Sequence, residues 1–274
     1  MDAPRRAPSQ IAARAYRSVV GRRRFQRAFE TLLDLSLRGM NFVGTDVARS
    51  GELSALAHVA ATVDLRQPVV LDIGANHGDY ARAATAAFGP AATVYAFEPA
   101  SAAFEHLVEV AGAVPQIVPV RLALSDASGD VELYADEPGS GLASLIDRDL
   151  THVGLEMKHV ERVAASTLDA FCASRGIDRV ALVKVDVEGA ELAVLRGAGQ
   201  MLERDAIDFI QFEFGGTAID SRIYLRDFFH LLHPRFRIHR VLQDGLRELP
   251  EYQERHEIFR TVNYLAERRT LRRS

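Results

Sequence analysis

One cysteine, two lysines and no long apolar run are what this chain of 274 residues conspicuously does without. The lone Cys172 excludes an intrachain disulfide framework and a thiolate metal cluster, which fits a reducing, cytoplasmic setting. No apolar stretch approaches the roughly 18 residues of a membrane span, and the first residues lack a signal-peptide core. A soluble protein with no membrane span is therefore expected. Lysine occurs only at Lys158 and Lys184, against 31 arginines (33 Lys and Arg together, less two). A lysine inside a motif is thus a departure from the habit of this chain.

What is present is enough apolar residue, 48%, to bury one substantial α/β core with extensions. We read residues 1–66 as a basic, helical N-terminal extension and 67–274 as the main domain. The formal charge of −4 hides two basic ends: eight arginines in the first thirty residues, and Arg268, Arg269, Arg272 and Arg273 in the tail. These are read as surface, the first set on an amphipathic helix from about Ile11 to Leu37.

The chemistry concentrates where an apolar strand, Pro68 to Ile73, ends in Asp72 and then Gly74-Ala75-Asn76-His77-Gly78. A short, β-branched, nearly all-apolar run suits a strand buried on both faces of a parallel sheet. Gly74 and Gly78 permit a tight turn and a close ligand approach, and the Ala-rich segment from Tyr80 to Phe88 opens a helix behind it. A dinucleotide site wants glycine at the first, third and sixth places, and here Asn76 stands third. Asp72 would repel a pyrophosphate yet complements an ammonium, directly or through water. S-adenosylmethionine fits both facts. A second apolar run, Thr93 to Phe97, ends in Glu98, twenty residues after Gly78, where a carboxylate can accept both ribose hydroxyls.

A further strand-to-helix motif runs Ala181-Leu-Val-Lys184-Val-Asp186-Val-Glu188-Gly-Ala-Glu191-Leu. As the fourth core strand it borders the crevice of Gly74, so that Asp186 and Glu188 face the reacting methyl group. The fifth strand, Ile207 to Phe214, brings Glu213 to the same end.

Together Asp72-Ile-Gly-Ala-Asn-His-Gly, Phe97-Glu-Pro, Ala123-Leu-Ser-Asp and Lys184-Val-Asp-Val-Glu-Gly-Ala-Glu-Leu resemble the FkbM family of methyltransferases. Ser50-Gly-Glu and Gly139-Ser-Gly-Leu-Ala-Ser are similar to further recurring pieces of that family, and the resemblance runs from about Ser50 to Ala266. It implies a Rossmann-like class I methyltransferase fold: a seven-stranded, mostly parallel sheet with helices on both faces. It also implies S-adenosylmethionine-dependent transfer to a hydroxyl of a sugar or specialised metabolite. Cofactor-binding positions would be Asp72, Gly74, Ala75, Asn76, Gly78, Glu98, Ser125, Asp126 and Asp186. Ser125 and Asp126 would lie near the adenine, or simply form a turn.

The implied sheet puts the third strand, Gln116 to Leu124, at an edge, where Pro119 is tolerated. Residues 135–158 read as a long loop and a candidate acceptor cover. His159 to Ala165 and Val131 to Tyr134 read as strands, and Thr167 to Ser174 and Ser221 to Leu232 as helices. Phe236 to Leu242 and Thr261 to Ala266 read as a final antiparallel pair. For the reaction, Asp186 is the first choice of general base and Glu213 the second; Lys184 would orient either by an ion pair. Asp186 and Glu213 could instead complete a divalent-metal site for Mg²⁺ or Ca²⁺. His77 reads as a surface residue that could touch the acceptor, His152 and His159 as surface residues flanking the loop, either of which could be a base delivered on closure, and Cys172 as a small buried residue.

A nucleic-acid acceptor is disfavoured, because Asp186-Val-Glu-Gly offers no stacking ring and the body is acidic. Ribose methylation of RNA and a degenerate cofactor-binding module are the alternatives to O-methylation of a small hydroxylated molecule. A homo-oligomer is left open.

Overall fold

The computed structural model describes residues 16, 18–42 and 49–270. The chain divides into two units, Met1–Phe42 and Val43–Ser274. In the first, a 3₁₀ turn at Arg23–Phe25 leads into helix α1, Gln26–Gly39. Of the helix expected from Ile11 to Leu37, Tyr16, Ser18 and Val19 are helical, the chain turns at 20–25 and α1 follows; residues 11–15 and 17 lie outside the described residues. Phe29, Leu32, Leu33 and Leu35 of α1 are exposed.

The second unit opens with α2, Glu52–Thr62, which sequence reading had grouped with the extension. It packs on α3, Asp79–Phe88, through a core shared by Leu56, Val59, Ala81 and Ala84. Around these lies a sheet of eight strands: β1 (Val69–Ile73), β2 (Thr93–Phe97), β3 (Ile117–Val120), β7 (Val180–Val185), β8 (Ile207–Phe214), β9 (Phe236–Leu242), β10 (Gly245–Leu249) and β11 (Val262–Arg268). Their order is β10-β9-β11-β8-β7-β1-β2-β3, parallel from β8 to β3 and antiparallel beyond. β3 is the edge strand, as Pro119 requires. Every residue of β7 and β8 is buried, as both-face coverage dictates for central parallel strands. Helices α4 (Ser101–Ala113), α5 (Leu168–Arg175), α6 (Glu191–Arg196), α7 (Gly199–Glu203), α8 (Thr217–Ser221) and α9 (Leu225–Leu232) fill the connections.

Four expectations are corrected. The sheet has eight strands rather than seven, because Gly245–Leu249 folds back on β9 as an extra edge strand. The run from Gln116 to Leu124 is not one strand: it leaves the main sheet after Val120. Ala123–Leu124 (β4) joins β5 (Gly129–Ala135) and β6 (His159–Ser166) in a separate three-stranded sheet. The helix expected from Ser221 to Leu232 is broken at Arg222, which sits in the left-handed region at φ +55°. Arg268 is not surface charge either. It is buried and its guanidinium donates to Asp208 at 2.9 Å, alongside Arg179 at 2.7 Å. Arg269 is exposed and donates to His233 O at 3.1 Å; Arg272 and Arg273 lie outside the described residues.

Elsewhere local rules hold. Thr167 caps α5, its hydroxyl accepting from Ala170 N at 3.1 Å, and Gly176 closes it at φ +64°. Among the described residues no helix is long and apolar enough to cross a membrane.

Candidate active site

Strand order reverses between β1 and β7, so the crevice for a ligand lies beyond the carboxyl ends of these strands. The register sets Asp72 beside Lys184 and Ile73 beside Val185, with Gln211 of β8 level with Lys184. The turn after β1 is pinned to β2: Gly74 N and Ala75 N both donate to Phe97 O, at 3.1 and 2.9 Å. Gly74 and Gly78 adopt φ +84° and +85°, so glycine is needed at both. The close approaches they permit are to protein atoms. A Cβ at Gly74 would stand 1.8 Å from Asp186 O, and one at Gly78 would stand 2.9 Å from Leu107 Cδ1.

Glu98 ties the same turn to β2. Its carboxylate accepts from Asn76 N at 2.9 Å and Ala100 N at 2.8 Å. Burial raises its pKa to about 7 against the lowering effect of these two donors. Asn76 Oδ1 is buried without a hydrogen-bond partner.

Two adjoining cavities meet here. One, of about 540 Å³, is walled by Gly74, Asn76, Glu98, Leu122–Leu124 and Asp186, with Ser140, Gly141 and Ala143–Leu145 of the long loop above. The other, of about 880 Å³, is walled by Ala75, His77, Tyr80, Lys184 and Asp186. Gly74, Asn76, Gly141, Asp186 and Glu188 belong to both. Asp186 therefore stands on the wall that the two cavities share.

Lys184 is buried; its Nζ lies 2.7 Å from Asp186 Oδ2, 3.8 Å from Glu52 Oε1 and 4.9 Å over the Tyr80 ring. Burial alone would depress the ammonium pKa, but the carboxylates of Asp186, Glu52 and Asp72 outweigh it and raise it. Asp72 is wholly buried, walls neither cavity, and neither of its oxygens has a hydrogen-bond partner. Desolvation lifts it to about 7 although Lys184 opposes the shift. It stands beside Lys184 in the strand register, outside the walls of both cavities.

Beyond Asp186 the chain is tightly braced. Asp186 N donates to Ile73 O at 3.0 Å, and Glu191 accepts from Val187 N at 3.1 Å and Gly189 N at 3.0 Å. Burial raises Glu191 to about 7. Glu188, at φ +55°, is paired with Arg148 at 2.5 Å, and its carbonyl accepts from Ser144 Oγ at 2.7 Å. Glu213 arrives from β8, 5% exposed, with Oε2 unpartnered. Burial first, then the charges of Asp186, Glu188 and Glu191, push its pKa well up.

The structure thus gathers Lys184, Asp186, Glu213, Gly74, Ala75, Asn76 and Glu98 at one end of the sheet, with Gly78 behind them against α4. It does not bring Ser125 and Asp126 to the cavity, whose wall stops at Leu124. The switch of the chain into the small sheet carries them off: Ser125 N donates to Ser166 O at 2.9 Å, and Ser125 Oγ donates to Asp126 at 3.3 Å. His77 is exposed on the rim of the cleft, His152 is exposed, and His159 lines a separate groove with Ala100 and Ser101. Cys172 is buried, its thiol pushed up to about 11 by burial.

Sequence reasoning assigned no role to Glu52 or Arg148. Glu52 accepts from Gln211 Nε2 at 2.8 Å and Ser50 Oγ at 2.9 Å, and Tyr80 Oη donates to Gln211 at 3.0 Å. The Ser50-Gly51-Glu52 piece was the available signal. Arg148 carried none, being one arginine of a loop without periodicity.

A family model described as the methyltransferase FkbM domain matches residues 72–237. The 2-O-methyltransferase NoeI of Sinorhizobium fredii is 25% identical over 220 residues, covering 76% of this chain and 88% of NoeI. The hexuronic acid methyltransferase AglP of Haloferax volcanii is 31% identical over 143 residues, covering 52% of this chain and 54% of AglP. A crystal structure of methyltransferase FkbM from Methylobacillus flagellatus aligns with a TM-score of 0.44 and 16% identity. That alignment covers 76% of this chain and 47% of the other, so the chain spans about half the length of that protein.

Proposed function

This chain belongs to the FkbM methyltransferase family, and we propose that it methylates a hydroxyl of a small sugar-like acceptor with S-adenosylmethionine as donor. The observation that carries the reading is the position of Asp186 on the shared wall of the two cavities. The residues fit the donor: Glu98 can accept from a ribose diol, and the unpartnered Asn76 Oδ1 offers a further acceptor for an ammonium or hydroxyl. When bound, the donor supplies a methyl group on a positively charged sulfur, already activated for displacement.

The protein must then hold the acceptor oxygen, methyl carbon and sulfur in line and exclude water. An alcohol loses its proton as its oxygen forms the new bond to carbon, and the carbon–sulfur pair leaves with sulfur. Asp186 stands where it can take that proton. Lys184 fixes its Oδ2 and leaves Oδ1 for the acceptor. Loop residues Ser144 and Arg148, tied to Glu188, roof the reacting point and exclude water.

The acids around the crevice favour a sugar over a polyphosphate chain. The test is incubation with methyl-deuterated donor and a panel of hexoses, hexuronic acids and RNA, read by mass. Label in a sugar supports the proposal; label in RNA alone contradicts it.

A further inference from the structure

Resting on that reading, we propose that Asp186, Glu188 and Glu213 together bind one divalent cation of the Mg²⁺ or Mn²⁺ type at the point where the acceptor hydroxyl reacts. One carboxylate oxygen from each lies within 4.8 Å of the other two. Oxygens on one six-coordinate ion with bonds of about 2.1–2.4 Å sit roughly 3.0–3.4 Å apart when adjacent and 4.2–4.8 Å when opposite. The three side chains therefore need only close slightly to share one ion.

The second observation is Glu213 itself. It is 5% exposed, and its Oε2 has no hydrogen-bond partner. A buried carboxylate without a donor or a counter-charge is costly, and such groups are normally paired or bound to metal. The two cations at hand are already committed. Lys184 holds Asp186 Oδ2 at 2.7 Å, and Arg148 divides its guanidinium between Glu188 at 2.5 Å and Leu142 O at 3.0 Å. Six acids, Glu52, Asp72, Asp186, Glu188, Glu191 and Glu213, thus share two cations, Lys184 and Arg148.

The donor set is all hard oxygen, with no thiolate or imidazole, which selects Mg²⁺, Mn²⁺ or Ca²⁺ over zinc or copper. Asp186 and Glu188 both wall the cavities, so places on the ion remain open to the crevice. An acceptor hydroxyl taking one of them would have its pKa lowered and lose its proton more readily. Arg148 competes with the ion for Glu188, which couples cation binding to the loop above.

The test uses the full-length, EDTA-treated protein without donor and Mn²⁺ as the probe, followed by electron paramagnetic resonance. The protein should take up Mn²⁺ saturably at one site, and Mg²⁺ should displace it. Glu213→Gln should weaken Mn²⁺ binding by about tenfold or more while keeping a cooperative melt and its affinity for S-adenosylhomocysteine. Glu188→Gln serves the same purpose should the first variant fail to fold. Wild-type protein that leaves Mn²⁺ free, or folded variants that bind it as wild type does, would overturn the cation site. Retained S-adenosylhomocysteine binding in EDTA would then confine that failure to the cation, whereas its loss would count against the methyl-transfer reading itself.

Discussion

Gly74 and Asp186 meet backbone to backbone: a Cβ on Gly74 would stand 1.8 Å from Asp186 O, while Asp186 N donates to Ile73 O at 3.0 Å. The cofactor turn and the candidate base are thus one mechanical unit. Gly74→Ala adds a left-handed alanine, costing about 1–2 kcal/mol. It also adds an overlap with main chain that cannot rotate away, costing about 1–3 kcal/mol more. Gly78→Ala meets only side chains, the end of Leu107 at 2.9 Å and Val110 at 3.4 Å. Urea unfolding of the two variants should show Gly74→Ala as clearly the more destabilised; equal midpoints would contradict the tight packing of the two turns.

Glu98 gives the cofactor site a pH dependence. Its pKa is about 7 in the folded protein against 4.5 when unperturbed, so the folded form holds the extra proton between these values. The stability of the unliganded protein should therefore fall as pH rises from 5 to 8. Affinity for S-adenosylhomocysteine should move the other way, since the ionised carboxylate is the stronger acceptor by about 1 kcal/mol, or roughly fivefold. Calorimetry at pH 6, 7 and 8 should show this rise in wild type and a flat profile in Glu98→Gln. A flat wild-type profile would remove Glu98 from the donor contact.

Asp186→Asn keeps the shape of the side chain but removes the base. Turnover should drop by about 10²–10⁴-fold. Affinity for S-adenosylhomocysteine should hardly change, because Glu98 and Asn76 carry that contact. Single-turnover rates and calorimetry on the same preparation separate the two effects. An equal loss of affinity would move Asp186 from the reacting point to the donor site.

Arg148→Met retains much of the packing but removes the bonds to Glu188 and to Leu142 O. It leaves the half-buried Glu188 without its cation and frees the loop over residues 136–150. Proteolysis within that loop should quicken and the KM for the acceptor should rise, with S-adenosylhomocysteine affinity less affected. Unchanged cleavage kinetics would show that the pair does not hold the loop.

Strands were legible where burial on both faces forced a compact apolar run, and Ile207–Phe214 and Phe236–Leu242 fall where periodicity placed them. The glycine turn and the acids of β1, β2, β7 and β8 were equally plain, because strand ends in a parallel sheet converge on one crevice. Tertiary partners were not legible. Nothing local in Leu122–Ser125 announces that the chain leaves one sheet for another, and that departure carries Ser125 and Asp126 away from the cavity. Glu52 meets Gln211 across 159 positions of sequence and Arg148 meets Glu188 across 40, distances at which spacing has no say. Gly245–Leu249 was missed because its alternation is interrupted by charge, as suits an exposed edge strand.

The central claim is that the crevice beyond β1 and β7 is a donor site for methyl transfer. Titration of the EDTA-treated protein with S-adenosylhomocysteine by calorimetry, with NADH as the control, tests it most directly. Saturable one-to-one binding of S-adenosylhomocysteine and none of NADH is the expected result. Binding of NADH, or of neither ligand, would contradict it.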